Sequence, residues 1–165
     1  MNPPDARATF EDWHAIHGLL MTYAERVDAG RFAEAAAMFE SATYRVDQRG
    51  RAQPQTYRGP AEVGTYMART KLFPDGTPRT KHVNTNVIID IGASTATSRC
   101  YVTVMQQTDS LPLQPVAAGR YVDTFERVDG EWRFTDRLIT GFLVGDVSQH
   151  KSPPDSSEQI QSPEA

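Results

Sequence analysis

The stretch Thr80-Lys81-His82-Val83-Asn84-Thr85-Asn86-Val87-Ile88-Ile89 changes the rhythm of the chain. Before it, apolar residues recur at three- and four-residue spacing. From here on, polar and apolar side chains alternate, which is the period of a strand with two unlike faces. One face carries His82, Asn84 and Asn86, and the other Val83, Val87 and Ile89, with Thr85 between them. An imidazole and two amides in a row fit a solvated outer face. They also fit a polar patch inside a pocket, and histidine is the side chain whose unperturbed pKa suits proton transfer near neutral pH.

Upstream, Thr9 reads as a helix N-cap with Asp12 in the first turn. Trp13, Ile16, Leu19, Leu20, Tyr23 and Val27 then form an apolar stripe, and Ala29-Gly30 ends a helix over 9–29. Phe32, Ala35, Ala36 and Phe39 mark a second helix over 31–40, and Ala42 to Val46 reads as a strand. Gly59-Pro60-Ala61-Glu62 opens a third helix over 60–72 with Val63, Tyr66 and Met67 on its apolar side. The segment Phe73-Pro74-Asp75-Gly76-Thr77-Pro78 is a turn.

Downstream, the period of two predicts antiparallel strands near 80–91, 95–107, 116–128 and 131–142. Asp129-Gly130 between Val128 and Glu131 signals a type I′ hairpin, and Ile91-Gly92-Ala93 suits the earlier turn. Helices followed by a meander imply an α+β fold in which a curved, four- to six-stranded, mostly antiparallel sheet wraps three N-terminal helices. The 165 residues suit one domain, over 1–147. The segment 148–165, rich in Ser, Pro, Gln and acids, reads as a tail that is flexible or draped on a partner.

Composition excludes several classes. A net charge of −4 and a pI near 5.5 argue against nucleic acid as a partner. The single cysteine, Cys100, excludes an intramolecular disulfide. No long apolar run or charged leader points to a membrane or to export, so a cytoplasmic location is expected. His14, His17 and His150 match no ligand cluster, and no metal is assigned.

Several segments together resemble the SnoaL-like branch of the nuclear transport factor 2 superfamily, which includes scytalone dehydratase and bile acid 7α-dehydratase. They are Tyr23-Ala24-Glu25-Arg26-Val27-Asp28, Tyr57-Arg58-Gly59-Pro60, Arg79-Thr80-Lys81-His82 and the hairpin from Gly119 through Asp129-Gly130 to Phe134. The resemblance spans about residues 10–147 and implies a cone-shaped α+β barrel with a deep pocket, commonly dimeric. It also implies that Asp28 and His82 form the acid/base pair of the dehydratases and that Tyr23 matches the tyrosine of the bile acid enzyme. The chain departs from scytalone dehydratase elsewhere. A second pocket histidine of that enzyme falls at Gln106, its Ser and Asn fall near Gly119 and Tyr121, and its strand tyrosine falls near Asp47.

The chemistry of the pair follows from its groups. An aspartate that accepts from one imidazole nitrogen fixes the tautomer and frees the other nitrogen to take a proton from carbon beside a carbonyl. His82 is then the base, and the acid on a departing hydroxide is its own imidazolium or Tyr23. Asn84, Asn86, Gln106, Tyr121 and Arg137 are candidates for orienting the substrate, Arg137 by pairing with an anionic one. Alternation places Gln106 on the face of Val104, Val102 and Cys100 and turns Tyr101 away, and it puts Arg133 and Arg137 on one face.

No cofactor is required. The leading reading is a lyase or isomerase of dehydratase or cyclase type acting on an apolar, polycyclic or aromatic-like small molecule. A ligand-binding protein would use the same pocket without the pair, and an accessory subunit would use only the sheet. The apolar face opposite His82 suggests a homodimer or higher homo-oligomer through the outer sheet face.

Overall fold

The computed structural model describes residues 8–47 and 52–150. Helix α1, Phe10–Asp28, opens on a capping box in which the Thr9 hydroxyl accepts from the Asp12 N–H and the Asp12 carboxylate accepts from the Thr9 N–H. Ile16, Leu20, Tyr23, Ala24 and Val27 form its buried side. Trp13, expected on that stripe, faces outward instead and stacks on His17 at 4.7 Å between ring centroids. At the other end the Gly30 N–H donates to the Val27 carbonyl and the Arg31 N–H to that of Arg26. These paired bonds close the helix around a glycine at φ 72°. Asp28 is thereby held in the last turn.

Helix α2 spans Phe32–Ala37 and α3 spans Gly59–Met67, both shorter than expected. The third stops at Met67 because the Arg69 N–H turns to the Tyr66 carbonyl and the Thr70 N–H to that of Met67. Such i→i−3 bonds tighten and close a last turn.

Six strands follow the order β2-β1-β6-β5-β4-β3: β1 Thr43–Val46, β2 Gln55–Arg58, β3 Thr80–Ile91, β4 Thr95–Gln106, β5 Gln114–Val128 and β6 Glu131–Val144. Every pairing is antiparallel except that of β1 with β6. The sheet is curved but does not close, so the barrel is open, with β2 and β3 at its edges. Strand β2 was not expected, because four residues are too few to show a period. The hairpin at Asp129 and Gly130 has both residues at positive φ, 52° and 86°, as a type I′ turn requires. Ile16, Leu20, Phe39, Val63, Val116 and Phe125 make the centre of the core. Among the described residues no helix is long and apolar enough to cross a membrane.

The strand pairings slip at several points, and two of these irregularities bear on the expected site residues. In β3 the pairing with β4 slips between Thr85 and Ile88, and Asn86 stands at φ 53°. A one-residue slip moves every later side chain to the other face. Thr80, His82 and Asn84 therefore face the core before the bulge, and Val87 and Ile89 pack against it afterwards. Asn86 is exposed, which corrects its expected place beside His82. The apolar outer face is correspondingly Val83, Ile88 and Tyr101, not Val83, Val87 and Ile89.

In β6 Phe134 pairs with Phe125 but Asp136 pairs with Thr124, which leaves Thr135 as the extra residue. The bulge puts Arg133 outside and Arg137 inside, fully buried. The two arginines do not share a face.

Gly30 leaves no room for a side chain, since a Cβ there would run into the Gly76 carbonyl oxygen. Gly30→Ala should cost about 1–3 kcal/mol through backbone strain and this clash, read as a lower urea midpoint. An unchanged midpoint would contradict this account of the helix end.

Candidate active site

Asp28 and His82 meet where α1 ends on β3. The Asp28 Oδ1 accepts from the His82 Nδ1 at 2.6 Å and from the Thr80 hydroxyl at 2.7 Å, while Oδ2 accepts from the His82 backbone N–H at 2.8 Å. Both side chains are only 9% exposed. An ionised carboxylate only accepts, so Nδ1 carries a proton, and in the neutral ring Nε2 then holds the lone pair. Burial works to raise the Asp28 carboxyl, but the His82 ring, its N–H and the Thr80 hydroxyl together hold it below its ordinary value of 3.8.

His82 forms part of the wall of a cavity of about 280 Å³ between the helices and the concave face of the sheet. Most of that wall is apolar, with Val27, Phe32, Val102, Val104, Ile139 and Phe142 prominent. Tyr23, Tyr44 and Tyr121, among the tyrosines of the wall, add polar character. The Tyr23 and Tyr44 hydroxyls are hydrogen-bonded at 2.7 Å. Burial pushes Tyr23, Tyr44 and Tyr121 above the usual tyrosine range. Their hydroxyls therefore stay protonated and serve as neutral donors.

The other expected site residues lie elsewhere. Arg137 does not border the cavity; its Nε and Nη2 donate to Asp123 at 2.7 and 3.0 Å. Its guanidinium lies 4.2 Å from the Tyr23 ring centroid and 4.3 Å from that of Tyr121. It supports the tyrosines and is committed to Asp123, not to an anionic substrate. Gln106 shares the inner face with Val104, Val102 and Cys100, as the alternation requires, but its amide donates to the Pro78 and Gln149 carbonyls and does not border the cavity. Asn84 faces inward beside His82 with a buried amide, and it too stands outside the cavity wall. Tyr101 is turned outward, 53% exposed. Among the described residues no group of three His, Cys, Asp or Glu is placed to hold a metal.

The cavity also holds residues that sequence reading passed over. Tyr44 shares its inner parity with Val46 on β1, a signal present in the strand pattern, and it puts a strand tyrosine in the cavity wall although the resemblance aligns the strand tyrosine of scytalone dehydratase near Asp47. Asp47 instead accepts from the Thr140 hydroxyl at 2.7 Å. Tyr66 of α3 borders the cavity as well, and so does His150, which no sequence period marks.

The profile of the SnoaL-like domain matches residues 8–138. The chain belongs to the SnoaL-like domain family. No curated protein sequence matches it. Among solved structures, this SnoaL-like chain is similar to three from Novosphingobium aromaticivorans. One is a nuclear transport factor 2-like protein with a cystatin-like fold, 22% identical, with TM-score 0.63 over 78% of this chain and 80% of that one. The second is a candidate scytalone dehydratase, 24% identical, with TM-score 0.61 over 88% and 94%. The third is the β subunit of a candidate aromatic-ring-hydroxylating dioxygenase, 16% identical, with TM-score 0.63 over 84% and 94%. At these identities the likeness is one of fold.

The depressed Asp28 carboxyl ties stability to pH. A lowered folded value means that its stabilisation is complete above the unfolded value and is lost as pH falls through the folded one. Asp28→Asn should therefore be less stable than the parent at pH 7, with the difference shrinking towards pH 3 in urea melts. A difference independent of pH would contradict an ionised Asp28.

Proposed function

We propose that the protein is a cofactor-independent lyase or isomerase in which His82 moves a proton on an apolar small molecule held in the cavity. One observation carries this reading. The Asp28 carboxylate engages Nδ1 of an imidazole that borders a largely apolar cavity. The arrangement leaves Nε2 as the base. Low polarity around it discourages solvation of the base and strengthens any hydrogen bond to a developing enolate. One of the Tyr23 and Tyr44 hydroxyls donates to the other, and the remaining hydroxyl proton of the pair is the donor suited to that enolate oxygen.

A dehydration then proceeds in balanced steps. His82 takes the proton on carbon beside the carbonyl, the enolate charge settles on the oxygen facing the tyrosines, and its collapse to the conjugated carbonyl breaks the β C–O bond as that oxygen receives a proton from an acid of the wall and leaves as water. Size narrows the substrate. A cavity of about 150 Å³ holds benzene, so about 280 Å³ suits one or two fused rings better than a steroid-sized polycycle. An accessory-subunit role would leave this open interior and its oriented imidazole without a use.

The outer face of the sheet supports a homodimer. Val83, Ile88 and Tyr101 are each more than two-fifths exposed there, a patch suited to a second copy of the same sheet. Light scattering at micromolar concentration should give twice the chain mass, and Tyr101→Glu should halve it. A monomeric parent would end that part of the proposal.

The base is tested without knowing the substrate. The protein should accelerate exchange of the α-hydrogens of 1-tetralone with deuterium in D₂O. His82→Ala should remove about 10²–10⁴-fold of that acceleration and also lower the thermal midpoint, because the buried Asp28 carboxylate loses a donor. Measured at a temperature where each variant is folded, Asp28→Asn should remove a large part of the acceleration. Equal exchange by the parent and His82→Ala would overturn the reading.

A further inference from the structure

A second histidine borders the same cavity, and it arrives from the other end of the fold. After β6 the Gly145 N–H donates to the Val116 carbonyl at 2.9 Å, and the chain returns so that Val147 and His150 both enter the cavity wall. This short strap is fastened along its length. The Lys71 N–H donates to the His150 carbonyl at 3.0 Å and Lys71 Nζ donates to Gln149 Oε1 at 2.9 Å. The Gln106 amide, 1% exposed, donates to the Gln149 carbonyl at 3.2 Å and to that of Pro78 at 3.0 Å. A buried amide is costly unless bonded, so Gln106 ties the strap to the inner face of β4. The His150 N–H closes a turn on the Val147 carbonyl at 2.9 Å. The backbone on which His150 stands is therefore set by bonds to β4 and to the loop after α3.

We propose that His150 is the second proton-transfer residue of the site, the general acid that protonates the departing oxygen while His82 removes the proton from carbon. The inference rests on the reading of His82 as the base. A base and an acid on separate parts of the wall relieve a constraint. A single imidazole that takes one proton and returns it can act only on groups leaving from its own side of the substrate. Burial raises the tyrosines, which makes them weaker acids than an imidazolium and suits them to hydrogen bonding. The remaining ionisable groups of the wall are Tyr66 and Arg69. Tyr66 is raised by burial in the same way, and an arginine does not give up its proton. An imidazolium is the group in this wall suited to the task.

Ring opening of 1,2-benzisoxazole and its 5-nitro derivative provides the test. In each, Nε2 of His82 takes the C3 proton, the C–H electron pair completes the nitrile, the N–O bond breaks, and the phenol oxygen receives the proton of His150. The nitrophenolate is the better leaving group and needs less help from an acid. His82→Gln should abolish the catalysed opening of both. His150→Gln should slow 1,2-benzisoxazole about a hundredfold and the nitro compound much less. An equal loss on both probes, or none on either, overturns the role of His150. If the unmodified protein opens neither probe faster than buffer, the reading of His82 fails and the inference falls with it. A second measurement separates position from chemistry: indazole, which has the same shape but does not open, should move the imidazole NMR signals of His82 and His150 along one binding curve. Movement of His82 alone overturns the inference.

Discussion

Three donors from one strand converge on the Asp28 carboxylate, and this junction sets the relation of the long helix to the sheet. A charge that is 9% exposed is tolerated only when its lone pairs are met, and here Thr80 and both the ring and the backbone of His82 meet them. The Gly30 termination fixes Asp28 from the helix side and the alternation at the start of β3 fixes its partners from the sheet side. With that end anchored, Tyr23 and Val27 on the preceding turn face the cavity. One interaction thus orients the imidazole and the wall around it.

Deeper in the fold a second buried ion pair performs a different task. Arg137 and Asp123 are both fully buried, and the guanidinium lies against the rings of both Tyr23 and Tyr121. Burial opposes the charge on Arg137, and the Asp123 carboxylate more than offsets it. Removing one partner of such a pair strands the other and is costly. The pair holds the tyrosine rings in place, and the Tyr23–Tyr44 hydroxyl contact follows from that fixed arrangement. The site is polar where hydrogen bonds hold it and apolar where a substrate would lie.

Much of this was legible in the sequence, and the limits are physical. The change of period near residue 79 separated helices from meander, and Asp129-Gly130 announced its hairpin. The adjacency of Asp28 and His82 was implied by resemblance and is a 2.6 Å contact in the structure. What strict alternation could not see was the bulges, two of which fall on the expected site residues. One extra residue in β3 exposed Asn86 and brought Val87 and Ile89 inward, and one in β6 separated Arg133 from Arg137. A bulge leaves no period of its own, so a reading based on parity fails beyond it. Gln106 was placed on the correct face, but its amide is taken by two backbone carbonyls, and that depends on where a distant strap returns. His150 was invisible for the same reason: its place in the wall is fixed by tertiary bonds to Lys71 and by the turn from Val147. Residues 151–165 of the expected tail lie outside the described residues, whereas its first three residues are part of the fold.

Asp28 holds the His82 imidazole with its proton on Nδ1 and, in the neutral ring, its lone pair on Nε2. Long-range ¹H–¹⁵N correlation of the imidazole nitrogens reads that tautomer directly. At a pH where the ring is neutral, His82 should show a protonated Nδ1 and an unprotonated Nε2, and Asp28→Asn should weaken or reverse that preference. A proton on Nε2 in the unmodified protein, or a tautomer indifferent to Asp28→Asn, would contradict the account.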